Sequence, residues 1–337
     1  MRSPFRSPGH RLAVPAVAAT LATILAAAGC GSGGDTGSAA TLDPQNPVTI
    51  KVGEVAGIPS AFLTYGKNQG FFADRGLELD IETAAGGAAI IPGVVSDDYA
   101  IGGSNVVSVA LGTSKGLPIR MVTSGTGVGD STKEDFSAIL VPGDGDIREA
   151  SDLAGKTIAV NTLKNISEVT VKTALEKHGV DPASVKFTEL EFPEMLPALE
   201  RGEVDAAHVI EPFATLGSQQ GLRAVSWPYV ESKPGMQIGS YVTSQRYLEE
   251  RPEVVEAFRA GIADTAAAIE KDPDAFRKAL PELTELSPEA ADRAVLPVWR
   301  ASIDKDTLTF VVQQMVKYGL IDKPVEVEQI IAPGSTS

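Results

Sequence analysis

DLAGKTIAVNTLKNISEVTVKTALEKHGVDPASVKFTELEFPEMLPALERGEVDAAHVIEPF, residues 152–213, decides the fold. Three strand-like runs, KTIAVN, VKFTELE and VDAAHVI, are separated by helical ones, and such alternation predicts parallel strands joined by helical crossovers. The first helix has the best-marked ends in the chain. Asn165 is an N-cap candidate with Glu168 three places on, a capping-box spacing, and His178 and then Gly179 close the run. This helix follows its strand directly, so its free N–H groups face the carboxyl edge of the sheet, where open α/β folds bind ligands.

At the other end of the stretch the apolar run from Val204 to Ile210 leads straight into Glu211, Pro212 and Phe213. Pro212 disfavours a helical conformation for the residue before it, so Glu211 is expected to be extended at the end of its strand. Two readings of the carboxylate follow. It is a polar or charged anchor for a donor group on a ligand, or it pairs with a Lys or Arg and latches the structure.

The same rhythm extends outward. VTIKV (48–52), LELDIE, DYAIGG, PIRMVTSG and AILVP (138–142) read as strands on the N-terminal side, and LRAVSW follows on the C-terminal side. Between them SAFLTYGKNQGFFADRG reads as a helix ending before Gly76, and SNVVSVALGTSKG as another. A mainly parallel sheet flanked by helices on both faces, built twice, is predicted. Beyond about Tyr241 the texture changes to long helical runs: RPEVVEAFRAGIADTAAAIEKD, PEAADRAVLPVW and DKDTLTFVVQQMVKYGL.

Composition and charge narrow the partners. The 337 residues are 43% hydrophobic and 22% charged, a globular mix long enough for two domain-sized cores. The net charge is −15, with no basic tract, which argues against nucleic acid or an anionic membrane surface as a partner. The N-terminus reads as an export signal: Arg2, Arg6 and Arg11 precede an Ala- and Leu-rich stretch, residues 12–28, ending in small residues. The alternative, an uncleaved anchor, would be short for a spanning helix. LAAAGC resembles a bacterial lipobox, with Ala27 where Leu is more common, and implies lipidation of Cys30. Cys30 is the sole cysteine, so no internal disulfide can form. GSGGDTGSAATLDPQN then reads as a flexible tether. The expected division is a lipoprotein signal peptide (1–29), a tether (30–46) and a folded part thereafter.

Catalytic constellations are missing from the sequence. The three histidines are His10 in the signal, His178 in a last helical turn and His208 inside a strand run, where a packed residue is expected rather than a metal ligand. No H-E-x-x-H, C-x-x-C, G-x-S-x-G or Walker motif occurs, and the glycines of GTGVGD (125–130) precede no helix-forming run. No cofactor and no metal are expected.

The stretch 152–213, together with GKNQGFFADRGLELDIE (66–82), resembles the solute-binding proteins of ABC importers. The branch is the one serving nitrate, sulfonate, taurine and thiamine-pyrimidine uptake, the SsuA/THI5-like or NMT1 family. The resemblance implies a type II periplasmic-binding-protein fold, in which two α/β lobes close around a ligand cleft. Here lobe one would be 47–138 plus 240–331, and lobe two 139–239. It implies ligand contacts at Pro59, Ser60, Gly87, Ser104, Asn105 and Ser124 in the first lobe. In the second it implies Asn161, Thr162, Asn165, Glu211 and Phe213, with Tyr241 near the second crossing. Many relatives place a Gly-Ser pair where this chain has Lys164-Asn165. The implied role is a monomeric, non-catalytic, lipid-anchored extracytoplasmic protein that passes a small solute (an amino-sulfonate, sulfonate or pyrimidine-like molecule) to an import permease. An enzyme resembling the thiamine-pyrimidine synthases, or a solute sensor, are the alternatives. A carboxylate in the cleft would favour a solute with an amino or N–H donor over a bare anion.

Overall fold

In the computed structural model, residues 42–335 are described. The export signal, Cys30 and most of the tether lie outside the described residues. The chain runs through β1 (Val48–Val55), α1 (Ile58–Asn68), β2 (Leu77–Ala84), α2 (Gly87–Val95), β3 (Ile101–Asn105), α3 (Val106–Ser114), β4 (Ile119–Ser124) and the short β5 (Thr126–Gly127). It crosses into β6 (Ser137–Val141), β7 (Thr157–Val160), α4 (Ile166–Lys177), β8 (Lys186–Glu189), α5 (Phe192–Glu200), β9 (Ala206–Ile210), α6 (Phe213–Gln219), β10 (Arg223–Ser226) and α7 (Pro228–Ser232). It returns by β11 (Gly239–Ser244) and ends in α8 (Gln245–Glu250), α9 (Pro252–Lys271), α10 (Pro273–Leu283), α11 (Pro288–Ala291), β12 (Val298–Trp299), α12 (Lys305–Lys317) and α13 (Val327–Ile330).

Two five-stranded sheets result, in the orders β2-β1-β3-β11-β4 and β10-β6-β9-β7-β8. β1 pairs in parallel with β2 and β3, and β7 with β8 and β9. The reversed strand in each sheet is the one that follows a crossing: β11 is antiparallel to β3 and β4, and β6 to β9 and β10. The expectation of two mainly parallel sheets therefore holds, with the exceptions where the chain changes sheet. The described residues belong to one compact unit. Among them no helix is long and apolar enough to cross a membrane.

Strand pleating explains why helices cover both faces. Along β6, Ala138 and Leu140 enter one core while Ile139 and Val141 enter another. β11 likewise sends Tyr241 and Val242 to opposite layers. Strands that send apolar residues to both faces must be covered on both sides, and here this holds even for the two reversed strands. The core holding Ile119 and Met121 of the first sheet also holds Ala138 and Leu140 of the second, so one apolar layer is continuous across both.

Two local expectations are corrected. Residues 288–299 do not form one helix: α11 stops at Ala291, and Val298–Trp299 is a strand paired with β5. Pro297 biases Leu296 away from the helical region and cannot donate an N–H to a helix begun before it. The capping box of α4 is displaced by one residue. Asn165 does cap, with its Oδ1 accepting from the Ile166 N–H at 2.6 Å, but the Glu168 carboxylate accepts from the Lys164 N–H at 2.7 Å. Lys164 sits at φ 54°, a left-handed conformation that turns its N–H toward the helix.

Candidate functional site: a cavity between the two sheets

The strand ends of the two sheets face a partly enclosed cavity, whose empty space together with the open solvent at its mouth is about 520 Å³. From the first sheet its lining includes Glu54 and Val55 at the end of β1, Gly103 to Asn105 at the end of β3, and Gly239 to Tyr241 on β11. The second sheet adds Asn161 beyond β7, Ile210 at the end of β9, and Asn165 to Ser167 at the start of α4. Phe136, Phe192 and Tyr229 supply aromatic walls. An apolar chamber with a few convergent polar groups is the usual form of a small-molecule site.

Three asparagines cross the cavity. Asn105 caps α3 by accepting from the Ser108 N–H at 2.9 Å, and its amide N–H donates to Asn165 Oδ1. Asn165 in turn donates to Asn161 Oδ1 at 3.3 Å, and Asn161 donates to the Ala85 carbonyl at 2.9 Å. The start of α3, the start of α4 and the β2–α2 turn are thereby tied together. A Cβ at Gly87 would overlap Ser104 Oγ and crowd the Asn105 amide, so only glycine allows α2 to begin this close to β3.

Glu54 was not expected at the site. Its carboxylate is 3% exposed and accepts the Val55 N–H at 2.7 Å, with the Tyr241 hydroxyl beside it. Burial pushes the acid up to about 7, against the opposing pull of that N–H and of Tyr241. Burial, then the charge of Glu54, moves Tyr241 well above its ordinary value. A side chain at Gly103 would overlap the Glu54 carboxylate, so the neighbouring strand carries no Cβ there. Nothing in VTIKVGEV marks this position: Glu54 reads as one more polar residue of an alternating strand, and its burial depends on a glycine forty-nine places away.

Of the residues expected at the cleft, Pro59, Gly87, Ser104, Asn105, Asn161, Asn165 and Tyr241 line the cavity. Five do not. Ser60 donates to the Gly57 carbonyl at 2.9 Å, inside its own helical turn. Ser124 lies behind Ser240, its register partner, and faces no cavity space. Thr162 accepts from the Asn165 amide and so sits behind it. Phe213 stacks on Phe192 with ring centroids 5.9 Å apart, in the core.

Glu211 is the main correction. It is 2% exposed and does not line the cavity. Its Oε2 accepts the Thr215 N–H at 3.0 Å, while Oε1 accepts the Thr215 hydroxyl at 2.9 Å and the Val295 N–H at 3.0 Å. Burial raises its pKa above the ordinary carboxylate range, with these bonds and the Arg277 charge opposing. The latch reading is therefore the closer one, although the partners are a hydroxyl and backbone N–H groups rather than a salt-bridged cation.

Two α/β sheets, each contributing strand ends and helix starts to an enclosed chamber, define the type II periplasmic-binding-protein fold. The chain belongs to the NMT1/THI5 like family, whose model matches residues 59–276. The taurine-binding periplasmic protein of Escherichia coli (strain K12) is 25% identical over 217 residues, which are 64% of this chain and 65% of that one. The chain thus aligns with about two thirds of that relative's length. Among solved structures, the alkanesulfonate-binding protein SsuA from Xanthomonas axonopodis pv. citri, bound to MOPS, superposes with a TM-score of 0.74 at 18% identity. It covers 85% of this chain and 99% of its own. The aliphatic sulphonate binding protein SsuA from Escherichia coli gives 0.68 at 16% identity, over 87% and 94%.

Proposed function

We propose that the protein is an extracytoplasmic solute-binding lipoprotein. It captures a small organic solute of the amino-sulfonate, sulfonate or pyrimidine-like class and delivers it, as a monomer, to an ABC import permease. The observation that carries this reading is the cavity at the strand ends of both sheets, bridged by Asn105, Asn161 and Asn165. The taurine-binding relative supports the solute class, and LAAAGC supports the anchor. The alternative enzyme would need a nucleophile or an acid–base pair at the cavity. The titratable side chains that line it are Glu54, Tyr229 and Tyr241, with no cysteine, lysine or histidine among the lining residues. That set suits recognition better than proton transfer, since both tyrosines are held protonated by burial.

The test is a thermal-shift screen of taurine, alkanesulfonates, nitrate and pyrimidines, together with mass spectrometry of solute released on denaturation. A true ligand at a hundred times its Kd stabilises by roughly 2.7 kcal/mol. No shift from any compound, and no released solute, would refute the binding role.

A further inference from the structure

The cavity has an acidic end and no basic residue. Among its lining residues there is no lysine, arginine or histidine, and among the described residues Glu54 forms no ion pair. A buried carboxylate without a cation or a full set of hydrogen-bond donors is costly, so its retention calls for a partner. Val55 and Tyr241 supply two donors, where a carboxylate has about four acceptor sites. Elsewhere in the lining, the buried hydroxyls of Ser104 and Ser240, register partners on β3 and β11, have no hydrogen-bond partner. Both line the same cavity, on the opposite face of the sheet from Gly103 and Tyr241, the register pair that flanks Glu54.

We propose that Glu54 selects the solute by accepting an N–H donor from it, with the unpartnered Ser104 and Ser240 hydroxyls offering polar contacts to the rest of the molecule. This rests on the solute-binding reading and narrows it: the solute carries an amine or ring N–H at its inserted end. The remainder lies against Phe136, Phe192 and Tyr229. A simple alkanesulfonate or nitrate, with acceptors alone, would set its charge against the carboxylate in a chamber without a cation. Gly103 belongs to the same device, because any side chain there would occupy the carboxylate's place.

Matched probes test this with the intact mature protein: taurine against isethionate, which has a hydroxyl in place of the amine, and an aminopyrimidine against the methylpyrimidine of the same outline. Calorimetry should give the amino member of at least one pair an affinity roughly tenfold or more above its partner. Glu54→Gln keeps the shape and Glu54→Leu removes the acceptor; the advantage should shrink in the first and vanish in the second. The wild-type comparison needs no variant, so a Glu54→Leu protein that misfolds does not blunt it. Equal affinities within both pairs, an advantage that survives Glu54→Leu, or binding by neither pair overturns the proposal. A released natural solute without an N–H donor overturns it too, while leaving solute binding itself intact. The absence of any bound or screened solute refutes the binding role beneath it.

Discussion

Replacing Glu211 by Gln separates a structural carboxylate from a recognition group. The carboxylate accepts three bonds, from the Thr215 N–H, the Thr215 hydroxyl and the Val295 N–H, all between 2.9 and 3.0 Å. An amide has a single acceptor oxygen, so one side of the group then presents N–H to a donor. Leaving one buried polar group unsatisfied costs about 1–3 kcal/mol. Unfolding entropy of about 2.1 cal/mol/K per residue, over roughly 290 residues, amounts to on the order of 0.6 kcal/mol/K. A loss of ~2 kcal/mol therefore lowers Tm by about 3 °C. The Val295 bond joins β9's end to a segment eighty-four residues later, so the loss falls on the long-range fold. Differential scanning calorimetry of the solute-free protein reads the shift, and titration calorimetry reads affinity. Solute affinity in the folded variant should change less than threefold, since Glu211 lies outside the cavity. An unchanged Tm with affinity reduced tenfold would refute the latch and restore Glu211 as a binding group.

Glu54→Gln should shift stability in the opposite sense. Its folded-state value, about 7 against an ordinary 4.5, means that its favourable contribution is present at low pH and lost as pH rises from about 4.5 through 7. The variant should gain roughly 3 kcal/mol on wild type at alkaline pH but not near pH 4; urea denaturation at both pH values checks it, and a pH-independent difference would count against it. His208 is held down to about 3 by complete burial, so stability should fall with pH from about 6.5 toward 3, and His208→Leu should flatten that slope. An unaltered acid limb in the variant would assign the loss to other groups, Asp135 excepted because burial raises it and gives the reverse slope. Cys30→Ser should abolish metabolic lipid labelling and move the protein from the membrane to the soluble fraction. Retention in the membrane with residues 1–29 attached would mean that residues 12–28 form a true anchor.

The sheets were legible because strand and helix periodicity are local properties of the chain. KTIAVN and VDAAHVI read as buried strands from a handful of residues, and Asn165 marked its helix by spacing alone. The helix-start asparagines were legible for the same reason, since a cap at the carboxyl edge of a sheet faces the ligand side. The side-chain assignments failed where the deciding partner is distant. Thr162 directly follows the cavity residue Asn161, and Phe213 comes three places after Ile210, yet a turn and a stacked ring on Phe192 carry them behind the wall. The helical run at 288–299 failed differently: Pro297 was present in the sequence, and its effect on Leu296 was the same one applied to Glu211.

Glu54 and Glu211 occupy equivalent places, at or just past the end of a strand that leads into a helix, each almost fully buried. Position alone would give them one role. What separates them is the supply of donors. Glu211 is followed four residues later by Thr215, which offers both an N–H and a hydroxyl, and the returning chain adds the Val295 N–H. Most of its acceptor capacity is committed within the protein. Glu54 is followed by α1, whose Ser60 hydroxyl turns back to Gly57, so the helix offers it nothing comparable. Its identified donors are the Val55 N–H and the Tyr241 hydroxyl, and the glycine on its other flank removes a wall where a third might have stood. A buried carboxylate whose acceptor positions remain open to a cavity is suited to a solute in a way that a saturated one is not. Giving Glu54 a nearby internal donor should therefore make it resemble Glu211, stabilising the empty protein while weakening its hold on an amino-bearing solute.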